Sequence, residues 1–128
     1  MDTKLVLLLV LVGVVSTSLA YPKTACGSGP THDLLLGQRL PGDRLLYSTH
    51  ETMESSILRK KVRDIYWPTN QHPGYSTITR IEVYDQITNG QGGCAFLSDG
   101  GVGNNFVKLH LKTQRGGKFD FLINIYGR

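Results

Sequence analysis

Val107-Lys108-Leu109-His110-Leu111-Lys112 alternates apolar and polar residues without a break. Side chains of an extended chain point to opposite faces in turn, so this period of two predicts a strand with one face buried and the other in water. The same alternation runs through Phe119, Phe121, Ile123 and Ile125, which share a face opposite Asp120, Leu122, Asn124 and Tyr126. Thr77 to Asp85 behaves likewise, with Ile81 and Val83 on one side and Arg80 and Glu82 on the other. Three half-buried strands need a partner layer over their apolar sides. The expected fold is therefore all-β, a small antiparallel sandwich or barrel-like single domain.

Outward from these strands, turn signals recur at short intervals: Pro41-Gly42-Asp43, Pro68-Thr69-Asn70, Asn89-Gly90, Asp99-Gly100-Gly101 and Gly116-Gly117. Such punctuation suits short strands better than helices, with glycines permitting tight hairpins and Asp43 and Asp85 placed as turn or strand-end caps. Ser48 to Arg63 carries two readings. Ser48-Thr49-His50-Glu51 has the spacing of a helix capping box, and Met53, Ile57 and Leu58 suit one helical face. Val62, Ile65, Tyr66 and Trp67, running into Pro68, favour a strand. Two strands are preferred to a helix.

The amino terminus reads differently from the rest. Lys4 precedes an unbroken run of 11 apolar or glycine residues, Leu5 to Val15, and Ser18-Leu19-Ala20 fits the small-x-small rule for cleavage between Ala20 and Tyr21. A secretory signal peptide over residues 1–20 is predicted, and a membrane anchor is not expected, because crossing the bilayer core takes about 20 consecutive apolar residues. Removing it leaves 128 − 20 = 108 residues, an irregular segment over 21–33 and a β-rich domain over 34–128. Without Asp2 and Lys4 the balance is 13 Lys and Arg against 9 Asp and Glu, still +4, which favours acidic partners. Cys26 and Cys94 are the two cysteines, and an oxidising export route makes their pairing the expectation, against two separate buried thiols.

No constellation of residues announces catalysis. Gly90-Gln91-Gly92-Gly93-Cys94-Ala95 matches the letters of a dinucleotide-binding fingerprint, but Ala95-Phe96-Leu97 is strand-like and ends at Asp99-Gly100 where a helix is required. A hairpin turn with a bulge is the better reading. His32, His50, His72 and His110 lack the spacing that sets two metal ligands on one face. No G-x-S-x-G nucleophile elbow occurs. The domain is accordingly read as non-catalytic, without cofactor or metal. Arg59-Lys60-Lys61-Val62-Arg63 is the densest charge cluster, and Arg59, Lys60, Lys61 and Arg63 are the candidate patch for an anionic partner such as an acidic glycan. Arg115 is a candidate for a bidentate contact with Asp85 or Asp99.

From Gly37-Gln38-Arg39-Leu40-Pro41-Gly42-Asp43-Arg44-Leu45-Leu46 onward the chain resembles the insect multiprotein bridging factor 2 family, which includes salivary and other secreted peptides. Ile78-Thr79-Arg80-Ile81, Asp85-Gln86, Gly92-Gly93, Gly100-Gly101-Val102-Gly103, Lys112-Thr113-Gln114-Arg115-Gly116 and Ile123-Asn124-Ile125-Tyr126-Gly127 follow in the family's order. The resemblance implies a transcriptional coactivator that bridges a DNA-bound receptor to the general machinery without reading DNA itself, and it carries over no catalytic residue. An export signal points instead to an extracellular binding or effector protein with an unidentified protein or glycan partner. Cys94 stands where much of the family is expected to carry an aromatic residue, which would make the disulfide a subgroup feature.

Overall fold

The computed structural model describes residues 26–27, 29–69 and 75–128; the cleavage position at Ala20 and Tyr21, and His72, lie outside them. Seven strands are formed: β1 (Leu34–Gly37), β2 (Arg44–Met53), β3 (Val62–Trp67), β4 (Ile78–Asp85), β5 (Cys94–Gly100), β6 (Val107–Lys112) and β7 (Phe119–Gly127). They make two sheets, one in the order β1-β4-β7-β2 and the other in the order β3-β6-β5. Every neighbouring pair runs antiparallel. The architecture is a two-layer sandwich, and Ser48 to Arg63 resolves into the end of β2, a connection and the start of β3. The capping-box letters fall inside β2, where pairing with β7 overrides the local helical preference.

The alternating residues do what their period predicts. Ile78, Ile81 and Val83 of β4 and Phe119, Phe121, Ile123 and Ile125 of β7 meet Ala95 of β5 and Val107, Leu109 and Leu111 of β6 in one buried cluster. Because β7 pairs with both β4 and β2, its apolar row is covered on each side as well as from above. Long edge strands are aggregation templates unless blunted. On edge strand β2 the carbonyl of Thr52 accepts a hydrogen bond from Arg63 of the other sheet, 3.0 Å away, while the same guanidinium nitrogen meets Glu51 at 3.1 Å.

One local expectation is corrected. The segment over residues 86–93 is no hairpin, since β4 and β5 belong to different sheets and the chain crosses between layers there. Gly92 and Gly93 are required by close approach: a Cβ on Gly92 would stand 2.6 Å from a carboxylate oxygen of Asp85, and one on Gly93 2.7 Å from Cβ of Phe119. Asp85 is the reason for the crowding at Gly92. Its carboxylate accepts the backbone N–H of His32 and of Ile87, each at 3.0 Å, while its own N–H donates to Asp33 at 2.7 Å. The His32 ring contacts the Gly93 carbonyl through Nδ1 at 3.0 Å, and since a carbonyl can only accept, Nδ1 carries the proton.

Asp43 caps the turn between β1 and β2. Its carboxylate accepts the Leu40 N–H at 2.6 Å and the Thr79 hydroxyl, tying the turn to β4. The Leu40 hydrogen bond first, then that of Thr79, hold its carboxyl below the usual aspartate value of 3.8, although burial works the other way. A carboxyl whose folded pKa is depressed contributes stability that is fully present above the unfolded value and is lost as pH falls through the folded one. Asp43→Asn is therefore expected to lower stability at neutral pH, with the gap to the parent protein narrowing steadily as pH falls below about 4. Urea unfolding across that range measures it, and a gap that stays constant would contradict the assignment.

Candidate functional site: a basic cleft beside the disulfide

The cysteines pair. Cys26 and Cys94 form a disulfide with Cα atoms 5.0 Å apart, pinning the segment before β1 to the start of β5. Beside it opens a cleft of about 310 Å³ lined by Cys26, Gly27, Lys60, Lys112, Thr113, Gln114 and Arg115. Three of these are cations, and none of the described lining residues is acidic.

The backbone explains why Lys60 arrives there. Residues 59–61 run beside residues 113–116 as an irregular continuation of the β3–β6 ladder. The Thr113 N–H donates to the Lys61 carbonyl at 2.8 Å and the Gly116 N–H to the Arg59 carbonyl at 2.9 Å. The Lys61 N–H returns a bond to the Thr113 hydroxyl at 2.9 Å. Thr113 is fully buried, so this clamp is shielded from competing water. Arg115 is braced by donating to the Leu58 carbonyl at 2.7 Å. Gln114 donates to the carbonyls of Gly90 and Gly92, both at 2.9 Å, and forms the wall of the cleft. Beyond that wall a larger cleft of about 380 Å³ carries Glu54 with Arg115 and Lys118, so its charge is mixed.

The candidate basic run is thus divided by the fold. Lys60 lines the cleft, whereas the Lys61 ammonium donates to the Glu54 carbonyl at 3.3 Å and Arg63 is engaged by Glu51 and Thr52. Arg59 is exposed on the connection between β2 and β3. Arg115 meets neither Asp85 nor Asp99, since Asp85 is taken up by His32 and Ile87 and Asp99 accepts the Gly100 N–H at 2.8 Å. The grouping of Lys112 and Arg115 with Lys60 is not legible in the sequence, because Lys60 lies more than fifty positions away from either.

From the cleft the lysines of β6 continue onto the outer face of the three-stranded sheet, where Asp64 of β3 and Asp99 of β5 stand among them. Lys108, His110 and Lys112 share that face of β6 with Asp64 and Tyr66 of β3 and Phe96 of β5. The Lys112 ammonium lies 5.3 Å from the centre of the Phe96 ring and that of Lys108 5.4 Å from the centre of Tyr66. The Tyr66 hydroxyl, and behind it Asp64, hold Lys108 above the ordinary lysine value, so it stays charged. Asp64 also pairs with the His110 ring at 2.8 Å. Each histidine of the described residues lies against an aspartate far away in sequence: His32 with Asp85, His50 with Asp120, His110 with Asp64.

A family model described as Transcription activator MBF2 matches residues 36–127, from within β1 to the end of β7. This chain belongs to the MBF2 family. A curated relative from Bombus ignitus, named "Probable salivary secreted peptide", is 38% identical over 104 residues, which cover 81% of this chain and 75% of the relative. No solved structure matches the chain. Lys60, Lys112 and Arg115 fall inside the MBF2 match and Cys26 precedes it, so the disulfide fastens to the MBF2 domain a segment that the family model does not describe.

Proposed function

We propose that the protein is a secreted, non-catalytic β-sandwich that acts outside the cell by binding. The Cys26–Cys94 disulfide carries this reading, because such bonds form and persist in oxidising compartments. It agrees with the leader-like sequence of residues 1–20 and with the printed name of the Bombus ignitus relative. The non-catalytic part is supported by the use made of the most buried His–Asp pair: His32 and Asp85 hold Gly93, Ile87 and the segment before β1 in place. The intact mass of the native protein under non-reducing conditions tests the proposal. The expected product lacks residues 1–20 and the two thiol hydrogens, while a full-length polypeptide with free thiols would refute secretion.

The family description favours a second function, coactivation in the nucleus. That function requires residues 1–20 to be retained or bypassed and the protein to be found in nuclei. Fractionation with an antibody to the β-domain separates the two.

A further inference from the structure

We infer that the cleft formed by Lys60, Lys112 and Arg115 is a binding site for tetrahedral oxyanions, and that it anchors a sulfated glycan chain whose further charges follow β6. Three observations support the site. The three cationic residues come from two separate stretches of chain and line one concavity with no carboxylate among its described lining residues. The backbone that carries them is cross-linked by the Arg59–Gly116 and Lys61–Thr113 hydrogen bonds, so little ordering is left to be done on binding. Arg115 holds the Leu58 carbonyl through one guanidinium nitrogen, which orients the planar fork that recognises oxyanions.

The track follows from strand geometry. Lys108 and Lys112 stand on the same face of β6, about 13 Å apart at the usual rise per residue, with His110 between them. A polyanion with repeated charges can engage the cleft and then Lys108, whereas a small anion can use the cleft alone. Asp64, which pairs with His110 and lies 3.9 Å from the Lys108 ammonium, opposes the middle of the track. Its removal should strengthen binding. The choice of a glycan rests on the extracellular function proposed above; the oxyanion site does not.

Retention on immobilised heparin, followed by titration with a soluble sulfated oligosaccharide, tests both statements. Lys60→Ala/Arg115→Ala should elute at lower salt and bind the oligosaccharide about tenfold more weakly, with a shallower dependence on salt. Arg39→Ala/Arg44→Ala removes the same charge from residues at and before the start of β2, in the other sheet, and should change affinity less than twofold. Lys60→Ala alone serves if Arg115→Ala impairs folding, because the Lys60 side chain has no hydrogen bond or ion pair among the described residues. Asp64→Asn should raise affinity. Equal losses in the two double variants would mean that net charge alone is read and would overturn the site. Undiminished binding to desulfated heparin, or binding to DNA with none to heparin, would overturn the glycan. Failure of secretion would instead be seen in the mass of the native protein, so the two failures are distinguishable.

Discussion

Cys26→Ala/Cys94→Ala is expected to lower the stability of the domain by about 4 kcal/mol, the chain-entropy value for a loop of this length. The bond joins residues 68 apart in sequence, so its loss releases most of the segment up to β5 in the unfolded chain. The native fold has other means of keeping this region together. The Gly90 N–H donates to the Pro30 carbonyl at 2.9 Å, and Asp85 holds His32. The double alanine variant should therefore still fold, with its urea midpoint displaced and its β-sheet circular dichroism retained. Cys26 also lines the basic cleft, and the variant should lose oxyanion affinity by less than the Lys60→Ala/Arg115→Ala protein. A displacement below 1 kcal/mol would show that the Pro30 and His32 contacts, and not the covalent bond, hold the segment.

Phe121→Ala is expected to cost about 3–5 kcal/mol, the range for removing a large aromatic side chain from a core that collapses incompletely around the gap. Phe121 is fully buried on β7, the strand that pairs with β4 and β2, and its ring centre lies 5.5 Å from that of Phe119. The hydrogen-bonded ladders on both sides hold the backbone apart and leave little freedom to close a cavity. Phe121→Leu, which preserves most of the volume, should cost clearly less. The same alanine change at Leu122, one position along and 38% exposed on the outer face, should shift the midpoint by no more than about 0.5 kcal/mol. Chemical denaturation of the three variants measures the contrast, and comparable losses at 121 and 122 would contradict the register of β7.

Much of the sandwich was legible because period-two alternation is a local property. Val107 to Lys112 and Phe119 to Tyr126 state which face is wet and which is dry whatever lies beyond them. The Ser48–Glu51 capping letters leave a helix open as the lesser alternative to two strands, and the strands form because the ladder with β7 overrides a local helical preference worth about 1 kcal/mol. Locally the glycines of 90–93 look like turn formers, whereas Gly92 and Gly93 are small because Asp85 and Phe119 occupy the space a side chain would need. The candidate patch was recognised as basic, but a linear run does not show which of its cations are used internally. Arg63 reaches Glu51 across the gap between the sheets, a contact that exists only once both layers are in place.

Composition and periodicity, acting over a few residues at a time, determined that the chain makes short antiparallel strands with one apolar face, that those faces must cover one another, and that two cysteines were available to pair. Which strands neighbour which, and so which distant side chains share a surface, was decided by the tertiary structure alone. Lys60 meets Lys112 and Arg115, and His32 meets Asp85, through the order in which the strands settle into two sheets. That order is set by the burial of all the apolar faces together, a cooperative property of the whole domain that no short stretch of residues encodes.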